Sequence, residues 1–382
     1  MECKKLFETI DKLNDEYIRF WIDVCNIESP TDCKENVDRC GEYFIEKARK
    51  RGWRIDVHEE DVSGNVVCIT LNSDSTASPI VFSSHLDTVH PIGLFGNPPT
   101  RCDDEKIYGP GVTDCKGGAV AAFLAMAALE ECGFKARPVK LILQSDEENG
   151  SRSSKKNTVS YMCEQSKDAV AFLNGEGYIP GFATLIRKGI HKYDFEITGE
   201  AVHSSICYSG ASAIAEAAYK ILELEKLKDP DGLTCNCGLI NGGTAENTVP
   251  AKCSFTADIR FSTTEEMKQA EKLVSELAEK SFIEGTQCTV RLASYRVAME
   301  KRDENFALLD KMNGIYEKNG LPVLSPKSGT GGADSADLSH FGVPSIDSLG
   351  VEGGNIHSVN EYAYLRSLAE SAKRMAAVAY CI

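Results

Sequence analysis

The chain is 382 residues long, past the size at which one hydrophobic core usually stops growing, so two domains are expected. Its 42% hydrophobic, 26% charged and 8% aromatic residues are those of a globular protein and exclude a disordered or fibrous chain. With 42 Lys and Arg against 57 Asp and Glu the net charge is −15, a field that repels nucleic acid and anionic lipid.

Residues 1 to 51 read as two helices: Leu6, Ile10, Leu13, Tyr17, Ile18 and Trp21 keep a helical period, and Asn36 to Arg51 repeats it up to Gly52. The N-terminus has neither an apolar core region nor a small-residue cleavage site, so no export signal is read and the cytoplasm is the expected location. Short apolar runs follow at Val66 to Leu71, Ile80 to Ser83, Val139 to Leu143 and Val170 to Leu173, with an Ala-rich helix from Lys116 to Cys132 between the second and third. Strands alternating with helices imply an α/β sandwich around a layered sheet. The longest apolar run, Ala119 to Leu129, is too short to span a bilayer and reads as a core helix.

From about Lys188 the pattern becomes strand (Tyr193 to Thr198), helix (Ala211 to Lys228), two strands (Gly238 to Asn241, Cys253 to Phe261), helix (Glu265 to Glu284) and strand (Cys288 to Leu292). That βαββαβ order is the ferredoxin-like split βαβ. The expected organisation is one α/β domain, 1–187 and 295–382, interrupted by an insert at 188–294. After the insert come a helix from Asn305, a Gly-rich turn, a strand at Ser345 to Leu349 and a closing helix from Tyr362. The fifteen cysteines are scattered, with only Cys235 and Cys237 close together, and most are read as small buried hydrophobes of a reducing compartment.

No phosphate-binding loop, dinucleotide fingerprint or G-x-S-x-G elbow occurs. Acids and histidines instead gather where predicted strands end: Ser84-His85-Leu86-Asp87, Ser145-Asp146-Glu147-Glu148, Asn174-Gly175-Glu176, and Gly353-Gly354-Asn355-Ile356-His357. That edge is where open α/β sheets bind ligands, so four distant segments can converge on one crevice. Asp114 joins them at the start of the Ala-rich helix. Taken singly, each has a plain reading: a solvated acidic turn, a structural histidine, or, for Asp114, a helix N-cap. Taken together, two His with three or four carboxylates suit one or two divalent ions, zinc first, with cobalt or manganese as alternatives. His85-x-Asp87 supplies a carboxylate that can take the ring N–H of a ligating His. Glu147 and Glu148 are adjacent, so one can bind metal while the other serves as general base.

SSHLDTV (83–89), YGPGVTDCKGG (108–118), SDEENGS (145–151), NGEG (174–177), GGAD (331–334) and GGNIHS (353–358) resemble, in order, the motifs of the zinc aminoacylase and carboxypeptidase family. That family includes glutamate carboxypeptidase, acetylornithine deacetylase and succinyl-diaminopimelate desuccinylase. The resemblance implies a two-zinc catalytic domain with an inserted lid that also dimerises. By matching motifs, Asp114 would bridge two metals, His85 and Glu176 would complete one site, and Glu148 and His357 the other. Asp87 would support the site and Glu147 would act on a metal-bridging water as base.

In the insert, His203 of Gly-Glu-Ala-Val-His matches a lid histidine that reaches a partner's active site in dimeric members. Asn247 and Arg260 resemble the pair that holds a substrate carboxylate, with Gly331 and Gly332 also on the substrate side. Alternation puts Asp258 and Arg260 on one strand face, where a neighbour ion pair is the plain alternative. Asn247, at the turn before the same strand, is expected beside the Arg260 guanidinium. Cys115 departs from the family pattern and is read as a spectator thiol, and His90 as structural. The implied activity is hydrolysis of an amide next to a free carboxylate, in a short peptide or N-acyl amino acid, by a homodimer. An aminopeptidase of the same family and a non-catalytic metal-dependent binding protein are the alternatives.

Overall fold

The computed structural model describes residues 2–382. In chain order the first half runs α1 (Lys4–Cys25), α2 (Lys34–Arg51), β1 (Arg54–His58), β2 (Val66–Leu71), β3 (Ile80–His85), β4 (Arg101–Cys102) and β5 (Lys106–Tyr108). It continues through α3 (Lys116–Glu131), β6 (Val139–Gln144), α4 (Asn157–Gln165), β7 (Ala171–Asn174) and β8 (Phe182–Arg187). The insert carries β9 (Gly189–Thr198), α5 (Ala213–Leu224), β10 (Thr234–Gly242), β11 (Lys252–Phe261), α6 (Thr264–Glu279) and β12 (Gln287–Arg296). The return is α7 (Asp303–Asn319), β13 (Ser325–Gly329), α8 (Asp334–Phe341), β14 (Ser345–Ile346), β15 (Gly353–Gly354), β16 (Tyr362–Tyr364) and α9 (Arg366–Cys381).

Two compact units result: residues up to Ile186 with Lys301–Gly329 and Ala333–Ile382, and Arg187–Glu300 with Thr330–Gly332. The second unit takes in residues 295–300, which the sequence placed outside the insert, because β12 runs on to Arg296 and Met299 exchanges backbone hydrogen bonds with Arg187.

The first unit is built on a mixed six-stranded sheet of order β1-β2-β6-β3-β7-β14. β3, β6, β7 and β14 run parallel, while β1, β2 and β6 pair antiparallel. Strand alternation serves two cores. Val67, Ile69, Ile80 and Phe82 face a large cluster with α1, α2, α3, α7 and α9, while Val66, Cys68, Val81 and Phe172 face a smaller one with α4 and α8. α3 is apolar all round and buried along nearly its whole length, and its alanines let α1 and α9 pack closely against it.

Two sequence expectations change here. Tyr362–Tyr364 is a strand paired with β5, not the start of the last helix; Tyr-Ala-Tyr alternates, with Ala363 buried. Asp114 does not cap α3, whose N-cap is Cys115 with no side-chain hydrogen bond.

The second unit is a four-stranded antiparallel sheet, β10-β11-β9-β12, with α5 and α6 packed on it. This is the ferredoxin-like order expected for βαββαβ. Lys220 of α5 is wholly buried, pairs with Glu216 at 2.9 Å, and donates to the carbonyls of Leu277 and Lys280 at the end of α6. Glu216 in turn accepts the N–H groups of Phe282 and Ile283. Removing one partner of such a pair leaves the other charge buried and unpaired, a cost of about 3–5 kcal/mol.

The first unit's crevice depends on one close approach. A Cβ on Gly118, in the first turn of α3, would collide with the backbone of Gly175, just past β7. Gly118→Ala is expected to push these two segments apart and to destabilise the chain by about 3 kcal/mol, measured as a fall in the urea midpoint.

Candidate active site

Five segments of the first unit meet at the carboxyl ends of β3, β6, β7 and β14. The loop before α3 is held from behind by α1: Trp21 Nε1–H donates to the Val112 carbonyl at 3.2 Å, and the buried Lys116 ammonium donates to the Ile27 carbonyl at 2.7 Å. Asp114 lies at the tip of that loop. Its Oδ1 is 3.1 Å from His85 Nε2, and its Oδ2 is 3.2 Å from His357 Nε2. His85 Nε2 is also 3.6 Å from Glu176 Oε1, and His357 Nε2 is 3.2 Å from Glu148 Oε2.

One carboxylate therefore presents an oxygen to each of two imidazole–carboxylate pairs. Ligands about 2.0–2.2 Å from a tetrahedral metal stand about 3.4 Å apart, so these spacings suit a divalent ion in each pair. His357 sits at a positive φ of 59°, a backbone state that costs free energy and needs a surrounding structure to hold it.

Asp87, fully buried, organises one side. The His85 ring Nδ1 lies 3.0 Å from the Asp87 carbonyl and 3.3 Å from its Oδ1, which turns Nε2 toward Asp114 and Glu176. The same carboxylate accepts the N–H groups of Glu147 and Glu148, each at 3.1 Å, and the Thr31 hydroxyl at 2.7 Å. Glu147 and Glu148 share a single 3-10 turn ended by Gly150 in the left-handed region. Glu148 faces His357, while the charge of Glu147 bears on both Glu148 and Glu176.

The electrostatics show what the residues lack. Burial, reinforced by Asp114, holds the Glu176 carboxyl well above the usual carboxylate range, and burial raises Glu148 to about 7. Hydrogen bonds from His357 and His85 keep Asp114 low against its burial, and those to Asp114 and Glu148 raise His357 to about 10. The site on its own must hold protons to hold its charge. Divalent cations replace those protons, so the donor set fits two such ions.

Cys115 also lies near His85 and Glu176. Its thiol donates to the Gly175 carbonyl at 3.0 Å and burial pushes it up, whereas a metal ligand must be a thiolate.

The sequence reading missed Glu361. This buried carboxylate accepts the N–H of Thr113 (2.8 Å) and Asp114 (3.0 Å) on Oε1, and the N–H of Gly111 (3.2 Å) on Oε2, with His90 Nε2 also 3.2 Å from Oε2. It fastens the Asp114 loop to the chain four residues past His357, and it gives His90, read as structural, a definite partner. Nothing in its spacing distinguished it from a surface acid.

In the second unit, His203 and Asn247 are exposed neighbours: Ser204 N–H donates to the Asn247 carbonyl at 2.9 Å, and His203 bridges Thr248. His203 Nδ1 accepts the Ser205 N–H at 3.2 Å. Arg260 lies elsewhere. Its Nε–H donates to Asp258 Oδ1 at 3.1 Å and its Nη1–H to the Thr330 carbonyl at 2.8 Å, next to Gly331, whose own carbonyl accepts from Arg187 at 3.1 Å. Gly332 has no room for a side chain against Arg296. The expectation that Asn247 stands beside Arg260 is wrong. They flank opposite ends of β11, and the eight steps from Lys252 to Arg260 alone span about 26 Å.

Residues 81–380 match the sequence profile of Peptidase family M20/M25/M40. The chain belongs to that family. Carboxypeptidase G2 of Pseudomonas sp. (strain RS-16) is 26% identical over 340 residues, covering 87% of this chain and 81% of that protein. Two solved structures share the fold at 21% identity, each covering 96% of this chain and 98% of the other: aminopeptidase PepT from Bacillus cereus, TM-score 0.77, and a tripeptidase from Staphylococcus aureus, TM-score 0.78. As an M20 member the chain is a hydrolase of the peptidase and amidohydrolase type, and the family's dependence on divalent metal agrees with the residues gathered around Asp114.

In this M20 chain, Glu361→Gln keeps the side chain's size but turns an NH2 group toward backbone N–H donors. It is expected to weaken metal binding by about 10–100-fold in a chelator-competition titration and, because buried N–H groups lose their acceptor, to lower the thermal midpoint of the metal-free chain as well.

Proposed function

We propose that the protein is a dinuclear metal-dependent amidohydrolase that cleaves a short peptide or N-acyl amino acid next to a free carboxylate, as a carboxypeptidase does. The observation that carries this reading is Asp114, with one oxygen toward His85 and Glu176 and the other toward His357 and Glu148. Those five residues would hold two divalent ions, zinc by preference, with Asp114 shared. Bound there, the ions would polarise the scissile carbonyl and acidify the attacking water. Asp87 fixes the His85 tautomer and the turn of Glu147 and Glu148. Glu147, adjacent to the Glu148 ligand on the same short turn, takes the proton from the water and returns it to the leaving amine.

Arg260 is the anion-binding group for the substrate carboxylate. Its planar fork suits a carboxylate, and Asp258 and the Thr330 carbonyl hold it in place. Gly331 adds no side chain beside it, while Gly332 packs against the Arg296 side chain. An aminopeptidase would instead need an acid for the substrate ammonium, and this part of the insert offers a guanidinium.

His203 and Asn247 serve a second copy of the chain. The β10 edge exposes Leu239 (71%) and Ile240 (57%), and α5 beside it exposes Tyr219 and Leu222, an apolar strip fit for a two-fold contact.

Four outcomes test this reading. A chelated sample should lose turnover of a dipeptide and N-acyl amino acid panel and regain it with zinc, cobalt or manganese. Glu147→Gln should retain metal but lose about 10²–10⁴ in kcat, whereas His357→Ala should lower metal content itself. The native enzyme should prefer a free-acid peptide to its C-terminal amide, and Arg260→Ala should erase that preference at a cost of about 3 kcal/mol in kcat/KM. Equal cleavage of acid and amide would favour the aminopeptidase. Mixed dimers of His203→Ala and Glu147→Gln chains should recover part of the activity that neither has alone.

A further inference from the structure

Fifteen cysteines are free, and two of them, distant in sequence, are in contact. Cys3, the residue before α1, and Cys381, the last residue of α9, have their sulfurs 3.6 Å apart. Each is pinned independently. The Cys3 N–H donates to the buried Asn319 Oδ1 at 2.9 Å, and its carbonyl accepts the Phe7 N–H at 3.0 Å. Beyond Cys381, the Ile382 carbonyl accepts from Arg137 at 2.8 Å, and a 2.6 Å ion pair between Lys373 and Asp11 ties α9 to α1 again. The approach of the two sulfurs therefore follows from the packing of α1 against α9.

We propose that Cys3 and Cys381 form a thiol–disulfide exchange site that takes a small-molecule disulfide of the glutathione type and closes into a disulfide clasp between α1 and α9. A disulfide needs sulfurs about 2.05 Å apart, so closure asks for about 1.5 Å of movement, within the reach of side-chain torsions.

The order of reaction follows from burial. Cys381 is half-buried while Cys3 is fully buried; burial pushes both thiols up, that of Cys3 to about 12. Cys381, as thiolate, attacks one sulfur of the small disulfide, whose S–S bond breaks and releases one thiol, leaving a mixed disulfide on Cys381. Cys3 then loses its proton and attacks the Cys381 sulfur, releasing the second thiol. Two protein thiols are oxidised to one disulfide while one small disulfide is reduced to two thiols.

The closed loop would run from residue 3 to residue 381 and constrain the unfolded chain strongly. α1 is 22 residues, about 33 Å long, and its Trp21 end, not its Cys3 end, supports the Asp114 loop. The clasp should therefore stabilise the fold and leave the catalytic crevice as it is.

The test incubates the full-length metal-loaded protein with glutathione disulfide, with dithiothreitol as control. Expected are a cross-linked peptide joining Cys3 to Cys381 that has lost two hydrogens, a thermal midpoint raised by several degrees, and unchanged hydrolytic activity. In the Cys3→Ser chain Cys381 should stop at its mixed disulfide with glutathione, and Cys381→Ser should form no cross-link at Cys3 and show no shift. A native chain that ends as the Cys381 mixed disulfide, forms its cross-link at another pair, or carries the 3–381 link with no rise in midpoint would overturn the proposal.

Discussion

The concentration of negative charge in the crevice is the constraint on which the rest of the first unit depends. Asp114, Glu147, Glu148 and Glu176 converge within reach of two imidazoles in a largely buried space, and burial drives the Glu148 and Glu176 carboxyls toward holding protons. Such a cluster is stable only with compensating positive charge. Imidazole N–H groups supply part of it in the bare chain, and divalent ions would supply more. The surrounding structure is organised to keep the ligands in place whichever partner is present.

That support comes from two further carboxylates whose acceptors are nearly all taken by backbone N–H or hydroxyl groups. Asp87 gathers Glu147, Glu148, Thr31 and the His85 ring; Glu361 gathers Gly111, Thr113, Asp114 and His90. Each bond from a backbone N–H to a charged acceptor is worth more than a neutral one and fixes the chain rather than a mobile side chain. Asp87 joins β3 to the turn after β6. Glu361 joins the loop before α3 to the segment after His357. Between them they tie four of the five segments together, and Gly118, packed on Gly175, brings in the fifth.

The parts legible in the sequence were those with a local signature. β2, β3, β6 and β7 each carry a short, mostly apolar and buried run, and an acid or histidine soon after such a run marks the sheet edge. Other features had no local signature. β1 is polar and half-exposed, and nothing in its composition separated it from a loop. Tyr362–Tyr364 is three residues long and leads straight into a helical pattern, so the helix signal extended over it. Asp114 satisfied the sequence rule for an N-cap, yet its carboxyl is spent on two histidines, an arrangement visible only when segments 29 and 243 residues away are brought together. Glu361 is the extreme case, since its role consists wholly of bonds to distant backbone.

Strand β11 sets the last constraint, because a ten-residue strand is a rigid ruler. A dipeptide fully extended covers about 7 Å, whereas the Asn247 and Arg260 ends of β11 are separated by at least about 26 Å. No small substrate can touch both ends within one copy of the insert. If both groups act on one substrate, as the proposed activity holds, they come from different chains. Substrate recognition then rests on association through surfaces such as the β10 edge, where Leu239 and Ile240 are exposed. Under that reading, dimer dissociation removes the other chain's His203 and Asn247 while the metal ligands of the first unit stay in place. Dilution would thus impair turnover without removing the metals, separating the assembly's contribution to catalysis from that of the crevice itself.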